Sequence, residues 1–267
     1  MLGWLTIELR RLDTRIRYRA SEIIRRILRK LIETVITDLD LMSQFRGIMS
    51  SVEFEHDHLS NATGFKGRTD LLRWTVDQIK GSDGLFLEFG VYKGDSINQL
   101  ADLKPDVVWH GFDSFVGLPE DWTLGAKAGA FDVRGKLPPV RSNVRLIPGF
   151  YDRTLDAFVA RHRGEKVAFL HIDCDLYSST KTVLNALKDM LVPGTIILFD
   201  ELINYTGWQD QEYRAFMEYV AENDGSFEYI GYVRTSCRVA VRLTGVRSGA
   251  ASLAPGGIPA AVSVAPG

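Results

Sequence analysis

VAFLHIDCDLYSST, residues 167–180, places two aspartates directly after a run of apolar residues. The run is continuous rather than alternating, which is typical of a strand buried on both faces of a parallel sheet. Burying a carboxylate without a compensating partner costs free energy. Asp173 and Asp175 therefore need a hydrogen-bond donor, a cation or an open crevice beside them.

Six further apolar runs read as strands, and helical patterns separate most of them. The runs are LFLEFGV (85–91), VVWHGF (107–112), VRLIPG (144–149), TIILFDE (195–201), FEYIGYV (227–233) and CRVAVRL (237–243). Strands that alternate with helices predict an α/β fold with a doubly wound, mostly parallel, seven-stranded sheet. The short connection RTS between the last two runs predicts an antiparallel C-terminal hairpin.

The two ends of the chain differ in composition from its middle. Apolar residues recur at steps of three and four over residues 4–40, which predicts one helix with an apolar face. Residues 245–267 hold one charge and no aromatic residue, a composition typical of a disordered tail. We therefore expect a basic amphipathic helical extension over 1–60, a central domain over 61–244, and a Gly/Ala/Pro tail over 245–267.

The N-terminal helix predicts partners beyond a small molecule. Residues 1–32 carry nine arginines and lysines against three acidic residues. Packing against the protein's own domain or a second subunit is the favoured interpretation, so we expect a homo-oligomer. Peripheral contact with an anionic membrane surface is the alternative. Nucleic acid is not an expected partner, because no recognition motif accompanies the basic face.

The cysteine content and hydropathy bear on the compartment. The two cysteines lie far apart and show no metal-ligand spacing, so a disulfide framework is not expected. The sequence shows neither an uninterrupted apolar leader nor an apolar run of 18 residues. We therefore expect a cytoplasmic protein.

Acidic residues and glycines follow the first two predicted strands. In open α/β sheets, ligands bind outside the carboxyl ends of the strands. The first strand carries Glu88 and leads into Gly90 and Gly94, and glycines let a backbone turn tightly and approach a ligand. Asp113 follows Glu88 by 25 residues, near the spacing at which a carboxylate binds ribose hydroxyls. These features predict a nucleotide-binding loop.

The remaining predicted strand ends supply aromatic and acidic side chains. The segment PGFYDRTL, residues 148–155, offers a glycine and two aromatic rings as a wall for a flat base. The ends of neighbouring strands lie about 4.8 Å apart, so Asp173, Asp200 and Glu201 could share one cation. Oxygen ligands favour Mg²⁺ or Mn²⁺ over zinc. Asp173, or else Asp175, is the expected general base.

Four of these motifs together resemble the macrocin O-methyltransferase family. They are E-x-G-V-x-x-G (88–94), FDSFxGLPED (112–121), D-x-D-x-Y-x-S-T (173–180) and an acidic pair after a P-G-x-I-I strand (193–201). The family consists of class I S-adenosylmethionine-dependent enzymes that methylate sugar hydroxyls on natural products. The resemblance covers about residues 65–243. It implies a Rossmann-like fold, S-adenosyl-L-methionine as cofactor, and an acceptor hydroxyl that belongs to a sugar.

The resemblance also implies roles for single residues. The methionine and ribose part of the cofactor would lie against Glu88, Gly90, Val91, Tyr92 and Gly94. The ribose diol would bind Asp113, and the adenine side would meet Ser114, Gly149, Phe150 and Tyr151. A divalent metal would bind Asp173, Asp200 and Glu201, although an Asp-Asp pair is common where this chain has Asp200-Glu201.

Other functions and roles stay open at this point. An O-methyltransferase for a phenol or catechol would use a divalent metal in the same way. A nicotinamide-dependent dehydrogenase is disfavoured because the first loop lacks G-x-G-x-x-G spacing. A non-catalytic, membrane-associated nucleotide-binding scaffold would not need acids at the strand ends. We expect His171 to be a structural histidine, His56 and His58 to lie in a solvated loop, and Trp208 to be either a substrate-pocket wall or a packing residue.

Overall fold

The computed structural model describes residues 21–122 and 125–246. The predictions for residues 1–20 and for the tail from residue 247 onward lie outside this part of the chain. The helices are α1 (21–37), α2 (Leu39–His58), α3 (Arg68–Asp77), α4 (Asp95–Leu103), α5 (Tyr151–Arg161), α6 (Tyr177–Leu187) and α7 (Glu212–Glu222), with a 3₁₀ turn at Trp208–Asp210. The strands are β1 (Thr63–Phe65), β2 (Leu85–Phe89), β3 (Trp109–Asp113), β4 (Val144–Pro148), β5 (Val167–Ile172), β6 (Leu191–Phe199), β7 (Ser226–Val233) and β8 (Val239–Gly245).

These strands form one sheet in the order β1-β7-β8-β6-β5-β2-β3-β4. β8 runs antiparallel to both of its neighbours, and the other pairs are parallel. This confirms the predicted doubly wound, mostly parallel sheet and its antiparallel C-terminal hairpin. The predicted number of seven strands was wrong by one. β1 adds an eighth strand at the edge, and its three residues are too few to show a periodicity in the sequence.

The sheet is covered on both faces, as its continuous apolar strands predict. Along β2, Leu87 and Phe89 pack into one core with α5, α6 and α7, whereas Phe86 packs into the other core with α3 and α4. Because successive strand residues point to opposite faces, a strand between two helical layers must be apolar at every position. Glu88 breaks that rule within β2, and its side chain is fully buried.

α2 connects α1 to the domain. Gly47 lies so close to the loop after β6 that an added Cβ would be 2.7 Å from the carbonyl oxygen of Tyr205. One helical turn later, the Ser51 hydroxyl accepts a hydrogen bond from the Asn204 backbone N–H at 2.8 Å, and Phe54 enters the core. The expectation of a solvated loop at residues 53–58 was wrong, because His56 and His58 lie in the last turn of α2.

The outer faces of α1 and α2 expose an unusual amount of apolar surface. On α1 the exposed large apolar residues are Ile23, Ile24, Ile27, Leu28, Leu31, Ile32 and Ile36. On the outward side of α2 they are Met42, Phe45, Ile48, Met49 and Val52. No helix in the described part of the chain combines the length and the apolar character needed to cross a membrane.

Candidate active site

The carboxyl ends of β2, β3, β5 and β6 meet at one edge of the sheet, and backbone hydrogen bonds hold them there. The N–H of Asp173 donates to the carbonyl of Phe89 at 2.8 Å, and the N–H of Asp200 donates to the carbonyl of Ile172 at 2.9 Å. The N–H of Gly90 donates to the carbonyl of Phe112 at 2.9 Å. β5 and β6 are therefore neighbours, as the proposal of a shared cation requires.

Two adjoining cavities open at this edge. The larger has a volume of about 450 Å³, and its walls include Asp113, Ser114, Phe150 and Tyr151. The smaller has a volume of about 280 Å³, and its walls include Val91, Tyr92, Arg68 and Glu201. Gly90, Phe131, Asp173 and Asp175 line both cavities. A ligand that fills the larger cavity can therefore extend past Gly90 into the smaller one.

Asp113 ties the glycine loop to the end of β3. One carboxylate oxygen accepts the N–H of Tyr92 at 2.7 Å, and the other accepts the N–H of Phe115 at 2.7 Å. Each carboxylate oxygen can accept more than one hydrogen bond. The side chain therefore keeps acceptor capacity toward the larger cavity, where the predicted ribose diol would donate.

Gly90 sits where the glycine loop meets the end of β5. Its φ is +99°, and an added Cβ would lie 1.6 Å from the carbonyl oxygen of Asp173. No side chain fits between these two backbone segments. The primary reason for glycine here is thus close packing of two strand ends, which also places Gly90 between the two cavities.

Three of the predicted cofactor residues do not line either cavity. Glu88 is fully buried beneath the loop, where one carboxylate oxygen accepts a hydrogen bond from the Ser96 hydroxyl. Gly94, with φ of +85°, forms the N-cap of α4, and Gly149, with φ of +134°, forms the turn before α5. These three residues support the site indirectly, because they fix the loops that carry Tyr92, Ser96 and Phe150.

A cluster of three carboxylates faces the point where the cavities join. Oxygens of Asp173, Asp175 and Glu201 lie within 4.8 Å of one another. Burial, with the nearby charge of Asp200, raises the pKa of Asp173 and of Glu201 well above the usual range and that of Asp175 to about 7. Asp175 also holds a left-handed φ of +63°, a strained conformation that occurs preferentially at functional sites.

Asp200 has a different environment from the one predicted. Both of its carboxylate oxygens accept hydrogen bonds from the Arg238 guanidinium, each at 2.6 Å. Although burial acts in the opposite direction, His171, Arg68 and Arg238 hold the pKa of Asp200 well below its usual range. The predicted set was Asp173, Asp200 and Glu201. In the structure, Asp175 groups with Asp173 and Glu201, whereas Asp200 is engaged by a bidentate arginine.

His171 lies under the acidic cluster and is fully buried, as expected for a structural histidine. Its Nδ1 is 3.4 Å from a carboxylate oxygen of Glu88, and its Nε2 is 3.7 Å from one of Asp200. Burial alone would lower the pKa of His171, but these two carboxylates outweigh burial and raise it to about 10. The imidazole lies between the buried carboxylates of Glu88 and Asp200, beneath the acidic cluster.

The chemistry of the donor set fits a divalent cation. Asp173, Asp175 and Glu201 offer only carboxylate oxygens, which are the ligands that Mg²⁺ and Mn²⁺ prefer. One carboxylate oxygen of Glu201 is buried and has no hydrogen-bond partner among the described residues. Among the described residues, only Asp173 of the three has a cationic partner, the Arg68 guanidinium at 3.7 Å. Three acids crowded together in this way are the arrangement that a cation stabilises.

Several residues of the site have no signal in the sequence motifs. Arg68, Trp122 and Phe131 line the smaller cavity, and Glu212 is fully buried close to the acidic cluster. Trp208, in contrast, lines neither cavity. It is 3% exposed, its ring lies against Phe54 with centroids 5.2 Å apart, and its Nε1 donates to Ser50. The packing interpretation of Trp208 is therefore confirmed.

Comparisons with known proteins agree with this geometry. A family model described as a methyltransferase domain matches residues 87–202. A Streptomyces olivaceus protein named 8-demethyl-8-(2,3-dimethoxy-alpha-L-rhamnosyl)-tetracenomycin-C 4'-O-methyltransferase is 30% identical over 163 residues, which are 50% of this chain and 59% of that protein. The crystal structure of CalS11, a calicheamicin methyltransferase, superimposes with a TM-score of 0.52 at 25% identity, over 65% of this chain and 76% of that one.

The chain thus spans less than two thirds of the curated relative that it matches. The narrower macrocin O-methyltransferase family stays a prediction. Residues 87–202 match the methyltransferase domain model, and the sheet has the class I Rossmann-like fold.

Proposed function

We propose that this protein is an S-adenosyl-L-methionine-dependent O-methyltransferase that acts, with a divalent cation, on a hydroxyl of a sugar or glycosylated small molecule. The observation that carries the proposal is the meeting of the two cavities at Gly90, Asp173 and Asp175. The larger cavity suits a nucleoside, and the smaller cavity suits the chain that continues from its ribose. A methyl group carried where the two cavities join would lie beside the acidic cluster.

The larger cavity has the features that an adenosyl group requires. Asp113 supplies an acceptor for ribose hydroxyls, and the rings of Phe150 and Tyr151 supply apolar wall for a flat base. Gly90, Val91 and Tyr92 then lead into the smaller cavity, which would take the methionine part. We therefore keep these residues as the proposed cofactor contacts, with Glu88, Gly94 and Gly149 as supports of the loops.

The name of one relative supports the choice of a sugar acceptor, because it describes a 4'-O-methyltransferase of a rhamnosyl-tetracenomycin. A phenol or catechol acceptor is the second candidate, since a cation and a base serve either hydroxyl. A dehydrogenase has no such support, because the matched family model is that of a methyltransferase.

In the proposed mechanism the chain's own residues orient the acceptor and remove a proton. When bound, S-adenosyl-L-methionine would supply an electrophilic methyl group on a sulfonium. The acceptor oxygen would bond to that methyl carbon as its bond to sulfur breaks, with S-adenosylhomocysteine as the leaving group. Asp173 borders both cavities, so its carboxylate can accept the proton that the hydroxyl loses. The rings of Tyr92 and Phe131 pack edge to face with centroids 5.7 Å apart, and they would form a wall beside the reacting groups.

Asp173, Asp175 and Glu201 would hold the divalent cation. When bound, such an ion supplies positive charge that makes a nearby hydroxyl more acidic. Asp200 would take no part in ligation, since Arg238 already engages both of its oxygens. Its role is to anchor the end of β6 and so position Glu201, the next residue.

Removing divalent cations should abolish turnover. With S-adenosyl-L-methionine and a panel of rhamnosides and catechols, methyl transfer should stop after treatment with EDTA and return on addition of Mg²⁺. Methyl transfer is followed with a labelled methyl group, and catechols in the panel separate the second candidate from the first. Full methyl transfer after exhaustive chelation would show that the reaction needs no divalent cation.

We also propose that α2 packs against a second copy of the chain. Its outward apolar stripe is flanked by exposed Arg46 and Glu53, seven residues apart and therefore on one side of the helix. An antiparallel two-fold pairing would bring each Arg46 opposite Glu53 of the other copy, which makes the surface self-complementary. Glu53 disfavours the alternative of an anionic membrane surface.

The self-association proposal is tested by deleting residues 1–40 and replacing Met49 by glutamate. The mass in solution should fall to that of a monomer in both variants. Met49→Glu places a charge within the apolar stripe of α2, and the deletion removes α1, whose exposed apolar residues precede that stripe. Binding to anionic liposomes without any change in mass would favour the membrane instead.

The proposed division into 1–60, 61–244 and 245–267 is supported by β1 and β8, which begin and end within two residues of the central range. The two free cysteines, Cys174 and Cys237, support the proposed cytoplasmic location.

A further inference from the structure

We infer that Arg68 binds the carboxylate of the cofactor's methionine part and thereby selects adenosyl ligands that carry an amino-acid tail. The inference rests on the proposed function, and it assigns a role to a residue outside the four sequence motifs. Arg68 is the first residue of α3 and belongs to neither of the strand ends that build the acidic cluster.

The guanidinium of Arg68 faces the smaller cavity without a close partner. Its Nη2 is 3.7 Å from a carboxylate oxygen of Asp173 and 3.8 Å from one of Asp200, both beyond hydrogen-bond distance. By comparison, Arg238 holds Asp200 at 2.6 Å through two nitrogens. The Arg68 side chain is 37% exposed and donates no hydrogen bond within the described part of the chain. Its donors are thus free for a ligand.

The position of the smaller cavity indicates which part of the cofactor would reach Arg68. A nucleoside in the larger cavity continues past Gly90 along Val91 and Tyr92, so the chain attached to its ribose enters the smaller cavity. In S-adenosyl compounds this chain ends in an ammonium and a carboxylate. The cavity must therefore bind one group of each sign.

The charges around the cavity divide in the same way. Its acidic residues are Asp95, Asp173, Asp175, Asp200 and Glu201. Asp95 and Asp200, which are outside the proposed cation site, suit the ammonium and the sulfonium, and the whole set repels the carboxylate. Of the cationic side chains that line the cavity, Lys93 is exposed and its ammonium lies 4.8 Å from the centroid of the Tyr92 ring. Arg68 is left as the cation placed among the acids, and a guanidinium pairs with a carboxylate through two parallel hydrogen bonds.

The test compares two ligands that differ only in the carboxylate. S-adenosylhomocysteine and its decarboxylated analogue, 5′-deoxy-5′-(3-aminopropylthio)adenosine, are titrated by calorimetry into the wild type and Arg68→Gln. The dissociation constant of S-adenosylhomocysteine should rise about 10- to 150-fold in the variant, as expected when a hydrogen bond to a charged group is lost. The dissociation constant of the decarboxylated analogue should change by less than about threefold. The difference between the two ligands then measures the contact between Arg68 and the carboxylate.

Arg73→Gln is the matched control, because it removes the same charge from an exposed position on the same helix. Both ligands should bind this variant as they bind the wild type. An equal loss of both ligands in Arg68→Gln would show a structural role and overturn the inference, and so would unchanged binding of S-adenosylhomocysteine. If neither ligand bound the wild type, the proposed function itself would fail.

Discussion

Asp173→Asn should reduce methyl transfer by about 10²- to 10⁴-fold, the range for loss of a general base, without unfolding the protein. Asparagine has the size of aspartate but cannot accept the proton of the acceptor hydroxyl. It also removes one negative ligand from the acidic cluster. The fold should persist, because Asp173 is repelled by Asp200 and its contact with Arg68 is long, at 3.7 Å.

The measurement is the initial rate of transfer from labelled S-adenosyl-L-methionine, with circular dichroism to follow thermal unfolding. Asp156→Asn is the control, since it makes the same change at an exposed position of α5 that lines neither cavity. It should keep the wild-type rate. A rate for Asp173→Asn within a factor of three of the wild-type rate would mean that another residue is the general base.

Gly90→Ala should abolish cofactor binding and lower the free energy of unfolding by about 2–5 kcal/mol. Two costs add at this position. A φ of +99° is unfavourable for any L-residue with a side chain, and the new Cβ would lie 1.6 Å from the carbonyl oxygen of Asp173. The strand ends must separate to accept it, which displaces Asp173 from both cavities.

Gly81→Ala isolates the conformational cost. Its φ of +82° is similarly left-handed, but an added Cβ meets no atom of the described residues within 4 Å. Denaturant unfolding should show a loss of about 1–2 kcal/mol for this control and a larger loss for Gly90→Ala. Equal losses in the two variants would mean that the strand ends can relax, and the packing argument would then be wrong.

The strands and the acids at their ends could be predicted because both signals are local. A strand covered on two faces is apolar at every position, so β2, β5 and β6 stand out in the sequence. The side chains at the carboxyl edge of the sheet come directly after these strands in the sequence. The order of the sheet then brings Asp173 close to Glu201.

The partners of those acids could not be predicted, because they come from distant parts of the chain. Arg238 reaches Asp200 only because β8 pairs with β6, a pairing that no local pattern specifies. Arg68 precedes the first motif by 20 residues and enters the site through the position of α3. The proposal that Asp175 rather than Asp200 completes the cation site rests on this pairing. A carboxylate's role depends on which cation reaches it, and that is a property of the tertiary structure.

Calorimetric titration of the wild-type protein with S-adenosylhomocysteine and with NAD tests the central claim most directly. The claim is that the cavities at the ends of β2, β3 and β5 bind an S-adenosyl cofactor. The account predicts that S-adenosylhomocysteine binds with one site per chain, raises the melting temperature as a ligand specific to the native state must, and that NAD does neither. Binding of NAD without binding of S-adenosylhomocysteine would contradict it.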